Sequence, residues 1–128
     1  MVNLTFKATK YTPEISLNAD TGVISLVGKS YPENTFEFYD PMINWLTNYF
    51  NGNTAESTMV NVEITYFNSS SSKLFFDFFD LLEVNNNEHN IKINWIFDKE
   101  NESAEEAGED FIEDFENLDI TLVTKSDD

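Results

Sequence analysis

Two stretches of this chain largely alternate between apolar and polar side chains, and that alternation limits the possible folds more than any other feature. In the first, Val60, Val62, Ile64 and Tyr66 point one way and Asn61, Glu63 and Thr65 the other. In the second, Ile91, Ile93, Trp95 and Phe97 oppose Lys92 and Asn94. Successive side chains of a strand lie on opposite faces of its sheet, so each stretch predicts a strand with one covered face and one wet face. Strands held between two helical layers read instead as continuous apolar runs. The pattern therefore predicts two layers, helices packed on one face of a sheet, and disfavours a doubly wound nucleotide-binding sheet.

The rest of the chain supplies the elements such a sheet needs. Val2 to Phe6 and Glu14 to Leu17 read as short strands. Asn18-Ala19-Asp20-Thr21-Gly22 has turn chemistry, and Val23 to Val27 returns as a strand, which makes an N-terminal hairpin. Helices and strands then alternate. The first helix begins near Asn34, where Asn34 and Glu37 have capping-box spacing just after Pro32. Tyr39, Ile43, Leu46 and Phe50 form its apolar stripe, Pro41 predicts a kink or a restart, and Asn51-Gly52-Asn53 ends it. A second helix is expected from about Ser70 to Glu83. A third runs from about Ser103 to Glu116, with Ser103 and Glu106 at capping-box spacing and Ala104, Ala107, Gly108, Phe111 and Phe115 as its stripe. Leu118 to Val123 closes a mixed sheet. Right-handed crossovers put all three helices on one face. At 128 residues the chain fits one α/β domain spanning its whole length.

Charge and composition exclude several function classes. The chain carries 24 acidic residues against seven basic ones, a net charge of −17, and all seven bases are lysine. Such a field repels nucleic acid and anionic membrane surfaces, and without arginine there is no bidentate clamp for phosphate or carboxylate substrates. A protein partner with a basic surface is compatible with it. No apolar run approaches the ~18–20 residues of a membrane span, and Met1 to Lys10 does not read as a signal peptide. With no cysteine, disulfides, thiolate nucleophiles and the usual zinc sets fall away, and the cytoplasm is the expected compartment. No glycine-rich phosphate loop occurs, so no cofactor is expected. His89, the only histidine, sits in a polar loop with no second ligand. The acidic third helix, with Glu102, Glu105, Glu106, Glu109, Asp110, Glu113, Asp114 and Glu116, lacks the ordered spacing and glycine turn of a calcium loop. It reads as a solvated face or an acidic docking surface, and no metal is expected. A small-ligand-binding or catalytic α/β domain using carboxylates near Tyr31 to Asn34 is the competing class, but nothing pairs a base with a nucleophile.

Tyr66-Phe67-Asn68-Ser69-Ser70-Ser71-Ser72-Lys73 is different, because it leads directly from a strand end into a helix. Asn68 or Ser69 can cap that helix, whose first N–H groups and dipole favour negative charge. The tract reads either as capping plus a run of serines or as a phosphate acceptor, and Lys73 lies one turn beyond Ser69. On the same helix Leu74, Phe75, Phe76, Phe78, Phe79, Leu81 and Leu82 wrap more than one apolar stripe. Core packing accounts for most of them, but one helix of a two-layer protein can hardly bury them all, which leaves part of that surface for a partner.

The succession Ser30-Tyr31-Pro32-Glu33-Asn34, Tyr66-Phe67-Asn68-Ser69-Ser70-Ser71 and Asp80-Leu81-Leu82-Glu83 resembles the SiaC family of bacterial regulatory phosphoproteins. Trp95-Ile96-Phe97-Asp98, Asn101-Glu102 and Gly108-Glu109-Asp110-Phe111 extend the match almost to the C-terminus. The resemblance implies a STAS-like fold, similar to that of anti-sigma-factor antagonists, with a phosphorylatable Ser or Thr at the start of the second main helix. It also implies partner switching without catalysis. In the scheme it implies, a Ser/Thr protein kinase of the histidine-kinase-like ATPase type modifies the protein, a PP2C-type phosphatase reverses this, and the unphosphorylated form binds and activates a diguanylate cyclase. Carried over by position, the acceptor is Ser69, with Ser70 and Ser71 as alternatives. Tyr31, Pro32, Glu33, Asn34, Asn68, Ser70 and Lys73 are the residues expected to meet partners. An antagonist of an anti-sigma factor is the alternative binder, differing only in its target.

Overall fold

Six strands pair in the order in which they occur along the chain, in a computed structural model that describes residues 1–52, 54–86 and 88–125. The elements are β1 (Leu4–Phe6), β2 (Glu14–Asn18), β3 (Val23–Ser30), α1 (Thr35–Phe50), β4 (Thr58–Phe67), α2 (Ser69–Asn86), β5 (Ile91–Asp98), α3 (Glu102–Asp114) and β6 (Asp119–Lys125). The strands β1, β2 and β3 pair antiparallel, and β3 to β6 run parallel, so the sheet is mixed. Each parallel step is spanned by one helix.

The register turns the alternation of the sequence into rows across the whole sheet. Leu4, Leu17, Ile24, Val60, Ile93 and Ile120 pair in one row, and Phe6, Ile15, Leu26, Val62, Trp95 and Leu122 in another. Between them, on the opposite face, runs a polar row of Thr5, Ser16, Ser25, Asn61, Asn94 and Thr121. Asn94 Nδ2 donates to Asn61 Oδ1 at 2.9 Å within it. All three helices cover the apolar rows. In α1, Trp45 donates its indole N–H to the Val2 carbonyl at 2.8 Å. Phe79 of α2 and Phe111 of α3 both pack on Trp95, with ring centroids 6.2 and 5.4 Å away. Each large side chain buried in this way contributes about 1.5–3 kcal/mol. The expected α/β architecture, a mixed sheet with helices on one face, is thus present, and it is compatible with the STAS-like expectation.

Four details differ from expectation, each for a local reason. Pro41 neither ends nor restarts α1, which is one helix from Thr35 to Phe50. Pro41 lies on the exposed side, and only the bond to the Glu37 carbonyl is forgone. Tyr66 does not join the apolar side of β4. Gly28 pairs with Ile64 but Lys29 pairs with Tyr66, so Thr65 is an extra residue and the strand changes phase. Tyr66 is turned out, 54% exposed, and Phe67 takes the inner position against Phe75 and Trp95. Gly28 makes the bulge possible, with φ 135° and Pro13 Cα only 3.2 Å from where a Cβ would stand. The cap of α3 is Asn101, not Ser103, because its Oδ1 accepts from the Ala104 N–H at 3.1 Å. Finally, His89, expected in a polar loop, is half-buried, its ring 5.4 Å from that of Phe50.

Gly108 sets how closely α3 approaches the sheet. A Cβ there would stand 2.6 Å from both Leu122 Cδ2 and Trp95 Cδ1. Trp95 cannot yield easily, because its Nε1 donates to the Ala104 carbonyl at 2.8 Å. Gly108→Ala is therefore expected to destabilise the protein by about 1–3 kcal/mol despite alanine's better helix propensity. Urea unfolding of the two proteins measures the difference; equal or greater stability of the variant would refute the close-approach account.

Candidate functional site

The three parallel crossovers bring the starts of all three helices to one edge of the molecule, the carboxyl ends of β3, β4 and β5. Each start is capped by asparagine. Asn34 Oδ1 accepts from the Glu37 N–H at 3.3 Å, Asn68 Oδ1 from the Ser71 N–H at 2.9 Å, and Asn101 Oδ1 from the Ala104 N–H at 3.1 Å. Cap side chains of this kind satisfy helix-start donors and contribute about 1 kcal/mol each. Two of the caps also tie the edge together. Asn68 donates its backbone N–H to the Ser30 carbonyl at 3.2 Å, and Asn101 Nδ2 donates to the Thr65 carbonyl, at the bulge, at 3.0 Å.

Beneath the start of α2 lies a buried junction of three hydroxyls. Ser30 Oγ is 2.6 Å from Tyr39 OH and 2.7 Å from Ser71 Oγ. All three residues are fully buried. Burial pushes the Tyr39 phenol up from its ordinary 10.0 to about 12, against the hydrogen bond with Ser30, which lowers it.

This junction sorts the serine tract. Ser71 points inward and is engaged, whereas Ser69, Ser70 and Ser72 are exposed on the first turn. Among the described residues no partner is found for the backbone N–H groups of Ser69 and Ser70. Ser69, Ser72 and Lys73 stand at one end of a groove of about 690 Å³ between α2 and α3. Phe67, Phe76 and Phe111 form its apolar side, and Asp77, Asp110 and Asp114 line it with negative charge. Phe76 is 46% exposed, so the apolar excess of the second helix surfaces here.

The other expected partner residues are divided. Glu33 and Asn34 are exposed, Tyr31 and Asn68 are half-buried, and Pro32 is buried and offers no surface to a partner. Tyr31 stands between Tyr11 and Tyr66, with ring centroids 5.2 and 5.5 Å away in edge-to-face contact. The rings of Tyr11 and Tyr66 are both more than half exposed, giving an aromatic patch on the same edge. Sequence reasoning missed this patch because it depends on the phase change at Thr65. Lys73 Nζ sits 6.0 Å over the Phe36 ring of α1.

A family model described as SiaC family regulatory phosphoprotein matches residues 6–125. An uncharacterized protein of Pseudomonas aeruginosa is 31% identical over 115 residues, covering 89% of this chain and 90% of its own. The crystal structure of apo-SiaC from Pseudomonas aeruginosa superimposes with a TM-score of 0.88 at 28% identity, covering 97% of this chain and 100% of that one. A chain in the crystal structure of the diguanylate cyclase SiaD in complex with its activator SiaC, from the same organism, matches with a TM-score of 0.87 at 28% identity, covering 95% of this chain and 99% of that one.

The Tyr39 shift has a measurable consequence. Below pH 10 the phenol is protonated folded and unfolded, and contributes no pH dependence. Between about pH 10 and 12 the unfolded chain gives up this proton while the folded one keeps it, so stability falls with rising pH by at most ~1.4 kcal/mol per unit. Tyr39→Phe is expected to lose about 1 kcal/mol at pH 8 through the missing hydrogen bond. It should also lose stability less steeply above pH 10. Urea unfolding at pH 8, 10 and 11 checks both; parallel curves for the two proteins would overturn the assignment.

Proposed function

The chain belongs to the SiaC family of regulatory phosphoproteins, and from that premise we propose that it is a non-catalytic switch whose binding is set by reversible phosphorylation of Ser69. The observation that carries this reading is the geometry of the serine tract. Ser69 is the first residue of α2, exposed, directly after the Asn68 cap, and at the head of the groove between α2 and α3. Ser70 shares the exposure but is not among the groove residues, and Ser71 Oγ is buried and bonded to Ser30. A kinase reaches Ser69 without unfolding α2, whereas Ser71 would first have to leave its junction.

Phosphate on Ser69 adds about −1.5 to −2 charges at a helix start, where free N–H groups and the dipole favour it by only about 0.3–1 kcal/mol. Its effect on folding is therefore small. Its effect on binding is larger, because it adds bulk and charge to the groove a partner would fill. The relative's complex with a cyclase supports a diguanylate cyclase as the target that the unmodified form binds and activates. A histidine-kinase-like Ser/Thr kinase and a PP2C-type phosphatase complete the cycle, in the cytoplasm. Asn68, Ser70 and Lys73 around the acceptor, and Tyr31, Glu33 and Asn34 along the same edge, form the surface these partners share.

Two outcomes are expected. After incubation with its cognate kinase and ATP, intact mass and peptide mapping should find one phosphate, on Ser69. Ser71→Ala should be modified as well as wild type and Ser69→Ala not at all; full modification of Ser69→Ala would sink the assignment. Thermal melts of the modified and unmodified protein should agree within about 4 °C. A large loss of helical signal would show instead that phosphorylation acts by unfolding α2.

A further inference from the structure

The charge of this protein is distributed unevenly between its two layers. The helical layer carries two carboxylates on α1, three on α2 and seven on α3, against the single Lys73. The other six lysines lie on strands or in loops. Whatever meets the helices therefore meets a negative field.

Within that layer, α1 and α2 enclose a second groove, of about 470 Å³. Phe36, Asp40 and Ile43 face it from α1, and Asp77, Leu81 and Val84 from α2. Both triplets follow the i, i+4, i+7 spacing of one helix face. Ile43 and Leu81 reach the edge of the core, while Phe36 and Val84 stand clear of it. Phe36 is 46% exposed and Val84 72%, which is uncommon for side chains of this size clustered in one place. Asp80 adds a third carboxylate to the lining.

We infer that the groove between α1 and α2 is a docking surface for a short amphipathic helix with an apolar stripe and flanking lysines or arginines. The apolar side chains supply anchor sites, and Asp40, Asp77 and Asp80 stand where flanking cations would meet them. From Leu74 to Val84 the groove follows eleven residues of α2, about 15 Å, which suits an occupant of roughly three turns. Other occupants fit worse. Helix walls have no open backbone donors and acceptors for an extended strand. A second copy of this chain would bring acid against acid. Anionic lipid and nucleic acid are repelled by the same field. The groove contains none of the serines, so a phosphate on any of them stands outside it. A partner can thus hold this chain through both states of a modification made at the other groove.

The test uses the full chain, labelled with nitrogen-15, and a synthetic 14-residue peptide with leucine at i, i+4, i+7 and i+11 and lysine at the flanking positions. Amide shifts on titration should cluster in 36–43 and 74–84. Fluorescence anisotropy should show Val84→Ser and Asp80→Lys each weakening binding by about tenfold, the loss of one central anchor or one charge pair. Both positions are exposed, so the variants should fold, and their amide spectra verify it. Glu105→Lys on α3 makes the same charge change away from the groove and should weaken binding less than about threefold. Shifts spread over α3 or the sheet, equal loss in Glu105→Lys, equal binding of a scrambled peptide of the same composition, or no binding at all would each overturn the inference. None of these readouts involves phosphorylation, so their failure leaves the Ser69 switch standing.

Discussion

Ser30 closes β3, Tyr39 lies in α1 and Ser71 in the first turn of α2, and the Ser30 hydroxyl joins the other two from the interior at 2.6 and 2.7 Å. None of the three has access to water, and a buried hydroxyl left without a partner costs about 1–3 kcal/mol, so none can leave without loss. The junction therefore ties a strand end and two helices together at one point. It also determines what the rest of the serine tract can do. Residues on a helix advance ~100° each, so with Ser71 turned inward Ser69 lies about 200° away, on the solvent side. Lys73, four residues after Ser69, returns to nearly the same side. The exposure of Ser69 is thus a consequence of the burial of Ser71, and both rest on Ser30.

Much of this was legible in the chain, because the signals involved are local or periodic. Alternation in residues 60–66 and 91–97 predicted a sheet covered on one side, and the register bears it out, with two apolar rows and one polar row across six strands. The caps at Asn34 and Asn68 were readable from short-range spacing. What escaped depends on partners far away in sequence. The bulge at Thr65 is defined by pairing with Gly28 and Lys29, and nothing within 60–66 announces it. The choice of Asn101 over Ser103 follows from the Thr65 carbonyl that its amide also reaches. Ser71 is distinguished from Ser69 and Ser70 only by Ser30, 41 residues earlier. The apolar excess on α2 was visible, but its division into Phe76 on one groove and Leu81 on the other required the positions of α1 and α3.

The two faces of the sheet differ as electrostatic surfaces as well as in packing. On the open face Lys125 Nζ meets Glu63 Oε2 at 2.8 Å, and charge there is partly balanced. Among the described residues the helical face has no ion pair, and most of its carboxylates are exposed. Repulsion among them disfavours the compact state and keeps copies apart. A partner that brings positive charge relieves the strain while burying the exposed phenylalanines, so apolar contact and charge neutralisation act in the same direction. A phosphate on Ser69 would add bulk and a strongly hydrated charge at the head of the α2–α3 groove, and its field would weaken with distance in salt over about 8–10 Å. Its influence should therefore be concentrated at the α2–α3 groove it heads.

Lys73 marks where the two helical grooves meet, and magnitudes decide what it can contribute. In the unmodified protein its ammonium lies 6.0 Å over Phe36, a contact worth about 0.5–1 kcal/mol at an exposed site. An exposed ion pair with a phosphate one turn away is worth a similar amount, about 0.3–1 kcal/mol. The two placements are nearly equal in energy, so the lysine can move from ring to phosphate at almost no net cost. By the same arithmetic that movement cannot drive a switch, because a change of state by two orders of magnitude in affinity needs about 2.7 kcal/mol. Most of that energy would have to come from the phosphate itself, through the bulk and the desolvation cost a partner meets in closing over the groove. Lys73 would then tune the response, partly neutralising the phosphate and lowering the penalty at the groove it heads.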